Sequence, residues 1–318
     1  MAGLPLTVIG GFLGAGKTTL LNHWLRSARG QRLAVLVNDF GSLNVDAELV
    51  AAAAGDTIAL TNGCVCCSIG DDMTAALIRV LDTDPPFDAV LVEASGVSDP
   101  WRIAQVALAD PGLEFGGVIV LLDARAAPAQ VRDPLLADSL LRQLRVADLV
   151  LLNKTDLLAP PERAAVHEWL TGVVGSAPVV QTVEARVPLA LLSGLALLDE
   201  QGNADGDPHD SDLHDCGEHT DHAGKFETWS SQPEVVLDAG TLRRLLRDMP
   251  AGVLRLKGLL RTDEHGWSEL QFSGRHGSLR RAVDAPASGT ASLVAIGLRG
   301  RLPAGRLQAA LQAATRGP

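Results

Sequence analysis

The chain has 318 residues, of which 47% are hydrophobic, and this length suggests two domains that together bury about 75% of the unfolded surface. Three of the four cysteines are crowded at Cys64, Cys66 and Cys67, which excludes the spread disulfides of a small secreted protein and favours a reducing, cytoplasmic setting. The net charge of -11 includes seven acids, without Lys or Arg, between Asp205 and His222. Because basic residues form no cluster and no apolar run approaches the roughly 20 residues that span a bilayer, we expect no nucleic-acid or membrane partner and no targeting segment.

Short apolar runs alternate with longer amphipathic segments through residues 1–200. Apolar runs without period-2 alternation are typical of strands buried on both faces, and the intervening segments are long enough for crossover helices. The pattern predicts an α/β domain with a mainly parallel, Rossmann-like sheet. The predicted strands are residues 5–10, 33–37, 57–60, 88–92, 118–122, 148–152 and 177–181.

Residues 201–224 contain almost no apolar side chains, which predicts a flexible linker. Its histidines and Cys216 alternate with acids, as in a low-specificity metal-collecting tract, although a merely solvated acidic linker has the same composition. The histidines elsewhere in the chain are expected to be ordinary surface or core residues. Residues 225–318 predict a small α+β domain with strands at 226–230, 252–260, 266–272 and 292–298 and helices at 241–248 and 303–314.

A glycine-rich loop that begins at Gly11 matches G-x-x-x-x-G-K-[ST], directly after a predicted strand and before a helix predicted at residues 18–25. Such a loop wraps phosphates with backbone N–H groups, while Lys17 reaches the β and γ phosphates and Thr18 ligates Mg2+. A plain glycine-rich turn is the alternative. The residues expected to bind the nucleotide here are Gly11, Gly14, Ala15, Gly16, Lys17, Thr18 and Thr19.

Two further motifs follow predicted strands. Glu93 stands where a nucleotide hydrolase needs a carboxylate near its metal, and Gly96 stands where an N–H group senses the γ phosphate, although an ordinary strand-end turn has a similar sequence. The segment Asn153, Lys154, Thr155 and Asp156 matches N-K-x-D, in which the Asp carboxylate accepts from N1–H and the 2-amino group of guanine. This motif indicates GTP and GDP and argues against an ATP-using kinase, with a helix cap as the alternative.

The cysteine motif C-x-C-C lies at Cys64, Cys66 and Cys67, before a helix predicted to run to residue 81 and to be capped by Ser68. A helix N-terminus favours thiolates, which are ligands for soft metals, and zinc is the default expectation. Three sulfurs without a fourth nearby ligand suit metal acquisition and release better than a closed structural site. Buried structural cysteines and a redox pair at Cys66 and Cys67 remain alternatives.

Together these segments closely resemble the CobW-type metallochaperone GTPases. The resemblance is carried by GGFLGAGKTTLLNHWL, NDFG, GCVCC, EASGVSDP and NKTD, and residues 253–275 also resemble the C-terminal domain of that family. It implies a P-loop GTPase domain that hydrolyses GTP and delivers a divalent metal, Zn2+ or another such as Co2+, to a client protein under nucleotide control. Because the sequence places no arginine near the phosphates, we expect slow basal turnover. The resemblance also implies a switch or catalytic role for Asp39 beside Lys17 and Glu93, although the family usually has Glu at the position of Asp39.

A second class of function also accommodates these motifs. In a non-catalytic zinc buffer or sensor, the nucleotide is a fixed structural ligand and the tract of histidines and acids sequesters metal. Such a protein binds several metal ions weakly and turns over no GTP, so metal stoichiometry and turnover distinguish the two classes.

Overall fold

The computed structural model describes residues 3–28, 31–37, 58–61, 69–96, 98–193, 226–282, 285–286 and 289–315. The chain divides into two units, Met1–Arg186 and Val187–Pro318, and each has its own hydrophobic core. The sequence predicted that the first domain extends to residue 200. The helix Leu189–Ser193 instead groups with the second unit, where the buried Arg255 guanidinium donates to the carbonyls of Leu191 and Leu192 at 3.3 and 2.9 Å.

The described part of the first unit contains a seven-stranded sheet in which all neighbouring strands are parallel. Its spatial order is β3-β2-β4-β1-β5-β6-β7. All seven predicted strands and the predicted α/β class are therefore confirmed. The strands are β1 (Leu4–Gly11), β2 (Leu33–Val37), β3 (Ile58–Thr61), β4 (Ala89–Glu93), β5 (Leu113–Asp123), β6 (Leu149–Asn153) and β7 (Val179–Gln181).

Among the described residues, helices lie between most consecutive strands and pack against the sheet. In α1 the buried residues recur at helical spacing, at Leu20, Leu21, Trp24 and Leu25, so one face of the helix packs inward. In α3, Asp99 caps the helix by accepting from the Trp101 N–H group at 3.0 Å. The helices of this unit are α1 (Lys17–Ser27), α2 (Ile69–Leu81), α3 (Pro100–Ala109), α4 (Ala127–Gln130), α5 (Ala137–Val146) and α6 (Pro160–Val174), with a 3-10 turn at Thr155–Leu157.

Strand β5 begins five residues earlier than predicted. Glu114 and two glycines interrupt the apolar run at its start, so the hydrophobic pattern predicted only the later part of the strand. The pairing of β1 with β5 skips Gly116, because Leu6 pairs with Phe115 and Thr7 with Gly117. A bulge of this kind accommodates one extra residue without ending the ladder.

The second unit contains a five-stranded sheet of order β11-β10-β9-β12-β8, and its pairs are antiparallel. The sequence missed β11, because its segment HGSLRR has a single apolar side chain, Leu279, and only pairing with β10 makes it a strand. The elements are α7 (Leu189–Ser193), β8 (Phe226–Ser231), α8 (Ala239–Arg247), β9 (Val253–Thr262), β10 (Gly266–Ser273), β11 (His276–Arg281), β12 (Ser292–Leu298) and α9 (Ala304–Ala314).

Among the helices within the described ranges, none combines the length and apolar character needed to cross a membrane.

Candidate functional site

The predicted phosphate loop lies at the carboxyl end of β1, where ligands gather in open parallel sheets. Gly11 has φ 128°, and a Cβ atom there would lie 2.3 Å from the Leu121 carbonyl oxygen. Gly16 has φ 108°, and a Cβ atom there would lie 2.5 Å from Asn153 Nδ2. Both glycines are therefore required by positive φ and by close packing against β5 and β6.

Lys17 and Glu93 form a buried ion pair behind this loop. Their side chains are 8% and 4% exposed, and Lys17 Nζ lies 3.8 Å from Glu93 Oε1 and 3.4 Å from the Phe12 carbonyl oxygen. Glu93 ends β4, where it pairs with Ile9 of β1. A buried carboxylate and the Thr18 hydroxyl are oxygen donors of the kind that Mg2+ prefers, so the residues present fit that ion.

Asn153, at the end of β6, is a buried connector between two loops. Its Nδ2 donates to the Ala15 carbonyl at 2.9 Å, and its Oδ1 accepts from the Thr182 hydroxyl at 3.1 Å and from the Ala185 N–H group at 2.8 Å. The side chain is 2% exposed. Asn153 thus ties the phosphate loop to the segment that follows β7.

The two other polar residues of the N-K-x-D segment have separate environments. Lys154 has φ 61°, and its Nζ contacts Asp123 Oδ2 at 2.7 Å. The other Asp123 oxygen accepts from the N–H groups of Arg125 and Ala126, so this carboxylate is anchored by the start of α4. Asp156 is exposed on the wall of a cavity, where its carboxylate is accessible to a base.

The cavity has a volume of about 890 Å³ and lies entirely within the first unit. This volume is in the range of small-molecule and cofactor sites. It brings together eight of the predicted nucleotide-binding residues, whereas Gly11, Ala15, Glu93 and Gly96 are not among its lining residues. The lining residues are Leu13, Gly14, Gly16, Lys17, Thr18, Thr19, His23, Arg26, Asn153, Lys154, Asp156, Leu157, Glu184 and Arg186.

The sequence did not predict the contribution of the segment after β7. Glu184 and Ala185 have φ values of 51° and 54°, which are unusual for residues other than glycine. Their conformation directs the Ala185 N–H group to Asn153 and places the Glu184 and Arg186 pair, 2.7 Å apart, on the cavity wall. No sequence motif predicts this loop, because its geometry depends on Asn153, about 30 residues away in the chain.

His23 and Arg26 of α1 also line the cavity and were not predicted. Partial burial lowers the pKa of His23, and the Arg186 and Arg26 charges lower it further, against opposing effects of Glu184. A lowered pKa favours the neutral imidazole, which carries both a hydrogen-bond donor and an acceptor on the cavity wall.

Several predicted residues lie outside the described residues. They are Asp39, Ser68, the three cysteines Cys64, Cys66 and Cys67, and the tract 201–224. Within the part of the chain that the structure describes, no group of three or more His, Cys, Asp or Glu side chains is placed to hold a metal ion.

Comparison with known families places this site. The model "CobW/HypB/UreG, nucleotide-binding domain" matches residues 5–181. The chain belongs to this family. A second model, "Cobalamin synthesis protein cobW C-terminal domain", matches residues 226–315, which lie in the second unit. The resemblance inferred from the motifs is confirmed.

Named relatives include zinc chaperones and a zinc-regulated GTPase metalloprotein activator. The chain is 32% identical over 286 residues to the zinc chaperone CobW of Sinorhizobium sp., which covers 80% of each chain. It is 37% identical over 197 residues to the zinc chaperone YjiA of Escherichia coli, covering 59% of this chain and 60% of YjiA. It is 31% identical over 210 residues to the zinc-regulated GTPase metalloprotein activator 1 of Schizosaccharomyces pombe, covering 63% of this chain and 50% of that protein.

Proposed function

We propose that this protein is a GTP-hydrolysing metal chaperone. In this proposal it binds a divalent transition metal, foremost Zn2+, at Cys64, Cys66 and Cys67 and delivers it to a client metalloprotein under the control of the bound nucleotide. Zinc is cargo here, whereas GTP and Mg2+ are the working ligands of the first unit.

The GTPase half of the proposal rests on family membership and on the cavity. Lys17 lies at the base of the phosphate loop and compensates phosphate charge, and Asp156 on the cavity wall accepts from guanine. Thr18 and Glu93 would hold Mg2+, which when bound neutralises charge on the β and γ phosphates. Fast GTP hydrolysis requires an arginine that stabilises the charge of the transition state. The arginines that line the cavity, Arg26 and Arg186, lie near His23 and Glu184, so we assign neither of them to that role and still expect slow basal turnover.

The register of the parallel sheet is the observation that supports the metal-binding half of the proposal. Glu93 of β4 pairs with Val37 of β2, and Val37 pairs with Thr61 of β3. Thr61 therefore lies two strand spacings from Glu93, or about 10 Å. The cysteine motif follows Thr61 by three residues, and Asp39 follows Val37 by two. Both segments thus start at the same carboxyl end of the sheet as Glu93, where we place the γ phosphate in this proposal.

The chemistry of the three cysteines supports zinc as the cargo. Thiolates are soft ligands that bind zinc and, with lower preference, cobalt, and a set of three leaves a coordination position for transfer. The names of the relatives from Sinorhizobium and E. coli agree with zinc. Free thiolates of this kind persist in a reducing cytoplasm, where we expect transfer to an unidentified client.

Nucleotide control follows from the shared sheet edge. Contacts of the γ phosphate with Gly96 and with the segment of Asp39 would order the neighbouring cysteine segment, and hydrolysis would remove those contacts. Linkage makes the effect reciprocal, because a nucleotide that tightens zinc binding must itself be bound more tightly in the presence of zinc by the same factor.

The decisive experiment is a zinc titration of the reduced protein against a competing chelator, with GDP or with a non-hydrolysable GTP analogue and Mg2+. We expect one equivalent of zinc to bind markedly tighter with the analogue, and Cys66→Ala to abolish that site while Cys216→Ala retains it. Equal zinc affinity with both nucleotides contradicts nucleotide control. Several weak equivalents together with no GTP turnover would establish a buffer instead.

Two variants separate the halves of the proposal. Lys17→Ala should abolish GTP hydrolysis, because the loop loses the cation that compensates phosphate charge. Cys66→Ala should keep measurable basal turnover, since the cysteine binds cargo rather than nucleotide. Loss of all turnover in Cys66→Ala would indicate a structural zinc site, and phosphate release measured in both variants distinguishes these results.

A further inference from the structure

Gln143 of α5 is a buried amide between two segments of the nucleotide site. Its side chain is 1% exposed and lies in the same row as the buried Leu140 and Leu144 of α5. A buried amide is stable only when its polar atoms are hydrogen-bonded. Gln143 lies on the buried face of the helix, where an apolar residue is usual. Its hydrogen bonds therefore indicate why an amide occupies this position.

The two ends of the Gln143 side chain bind different loops. Its Oε1 accepts from the Gly11 N–H group at 2.9 Å, and its Nε2 donates to the Gly96 carbonyl at 3.0 Å. Gly11 opens the phosphate loop, and Gly96 follows Glu93 by three residues. A single side chain thus joins the two segments expected at the phosphates, although 132 residues separate it from the first and 47 from the second.

Packing makes this link stiff. A Cβ atom at Gly11 would lie 2.3 Å from the Leu121 carbonyl oxygen, and a Cβ atom at Gly96 would lie 2.9 Å from the Leu13 nitrogen. Gly96 therefore packs directly against the phosphate loop, and the Gln143 amide fixes the orientation of its carbonyl. That hydrogen bond is one of the contacts that hold the Gly96 segment against the loop.

We propose that Gln143 is a positioning residue for GTP hydrolysis, which holds the Gly96 segment in register with the phosphate loop. The inference rests on the proposed function, because it assigns Gly96 to the γ phosphate. Neither Gln143 nor its hydrogen-bond partners Gly11 and Gly96 are among the cavity-lining residues, so Gln143 acts through these two glycines. Its loss changes the orientation of Gly96 while the loop contacts to the α and β phosphates persist.

Gln143→Glu separates the two hydrogen bonds. A carboxylate keeps the shape and still accepts from Gly11, but it cannot donate to the Gly96 carbonyl. We expect kcat to fall about ten- to hundredfold at about pH 8, the range that small misplacements of reacting groups produce, while KM changes less than about threefold. Burial raises the pKa of a carboxylic acid, and the protonated form has an O–H group that can replace the amide donor.

The pH profile therefore identifies a positioning role. As the pH is lowered from about 8.5 to about 6, the ratio of Gln143→Glu kcat to wild-type kcat should rise towards one, since protonation restores the donor. Gln143→Met has a similar volume but no donor at any pH, so its kcat should stay low throughout. Gln105→Glu, the same exchange on an exposed position of α3, is the matched control and should behave as wild type.

The possible results separate the inference from the proposed function. Wild-type protein that turns over no GTP overturns the proposed function and this inference with it. Active wild type with wild-type kcat in both Gln143→Glu and Gln143→Met at about pH 8 overturns the inference alone, as does a reduced kcat of Gln143→Glu whose ratio to wild type is independent of pH. If Gln143→Glu does not fold, Gln143→Met carries the test, and its kcat at the wild-type level overturns the inference.

Discussion

Replacement of Asn153 by alanine tests whether this residue connects two loops structurally or recognises the guanine base. The change removes the partners of three buried groups, the Ala15 carbonyl, the Thr182 hydroxyl and the Ala185 N–H group. A buried polar group left unpaired costs about 1–3 kcal/mol. The Thr182 hydroxyl can rotate and water can reach the vacated space from the cavity, so we expect a loss of about 2–4 kcal/mol rather than the full sum.

This loss converts into a measurable shift. The first unit spans Met1–Arg186, a size for which 1 kcal/mol corresponds to about 2–4 °C in Tm. We therefore expect Asn153→Ala to lower the Tm of this unit by roughly 4–16 °C in thermal unfolding followed by circular dichroism. Asn22→Ala is the matched control, because Asn22 Oδ1 has no hydrogen-bond partner in the described structure, and its cost should be below about 1 kcal/mol.

Nucleotide binding decides between the two roles of Asn153. A connector that holds Ala15 and Ala185 supports the whole cavity, so Asn153→Ala should weaken GDP and ADP by similar factors in a fluorescence competition assay. An unchanged Tm together with a selective loss of GDP affinity would refute the connector role and make Asn153 a reader of guanine.

Three further changes have definite expected outcomes. Asp156→Asn exchanges an acceptor for a donor, so GDP affinity should fall about 10- to 100-fold while a xanthine nucleotide gains affinity, and calorimetric titration measures both. The pKa of His23 is lowered by burial and by Arg186, so the unfolded chain takes up a proton first as the pH falls below about 6.5 and the folded state loses stability. The Tm of His23→Asn should therefore fall less than the Tm of wild type when the pH is lowered from about 7.5 to about 5.5. His167→Asn is the control, and an equally large fall in Tm in the two variants would contradict this prediction. The Leu302 N–H group lowers the pKa of Glu227, so Glu227→Gln should reduce the Tm difference between neutral and acidic pH for the second unit.

Local chemistry explains what was predictable. The glycines from Gly11 to Gly16 and the following Lys17 define a phosphate loop wherever they stand between a strand and a helix, and the structure confirms that setting. The runs of Val, Leu and Ile in β1, β2, β4 and β6 predicted a parallel sheet, because strands covered on both faces need no polar alternation. The cysteine site and the role of Asp39 stay predictions, since these residues lie outside the described structure.

The N-K-x-D motif predicted the location of its residues but not the separate environment of each side chain. It located the right strand end, but it treated Asn153, Lys154 and Asp156 as a single recognition element. All three residues line the cavity, but the structure also assigns Asn153 to a buried network and pairs Lys154 with Asp123. Partners at least 29 residues away determine these differences, and no local pattern contains them.

The sequence by itself determined the α/β class, the phosphate loop and the membership of a nucleotide-binding family, because these depend on periodicity and on short motifs whose residues act within one turn of chain. Only the tertiary structure decided how the loops are held together: Gln143 joins Gly11 to Gly96, and Asn153 joins Ala15 to Ala185. A buried amide can satisfy its donor and acceptor with any backbone that the fold brings near it, so its partners are a property of the packed sheet rather than of the sequence around it.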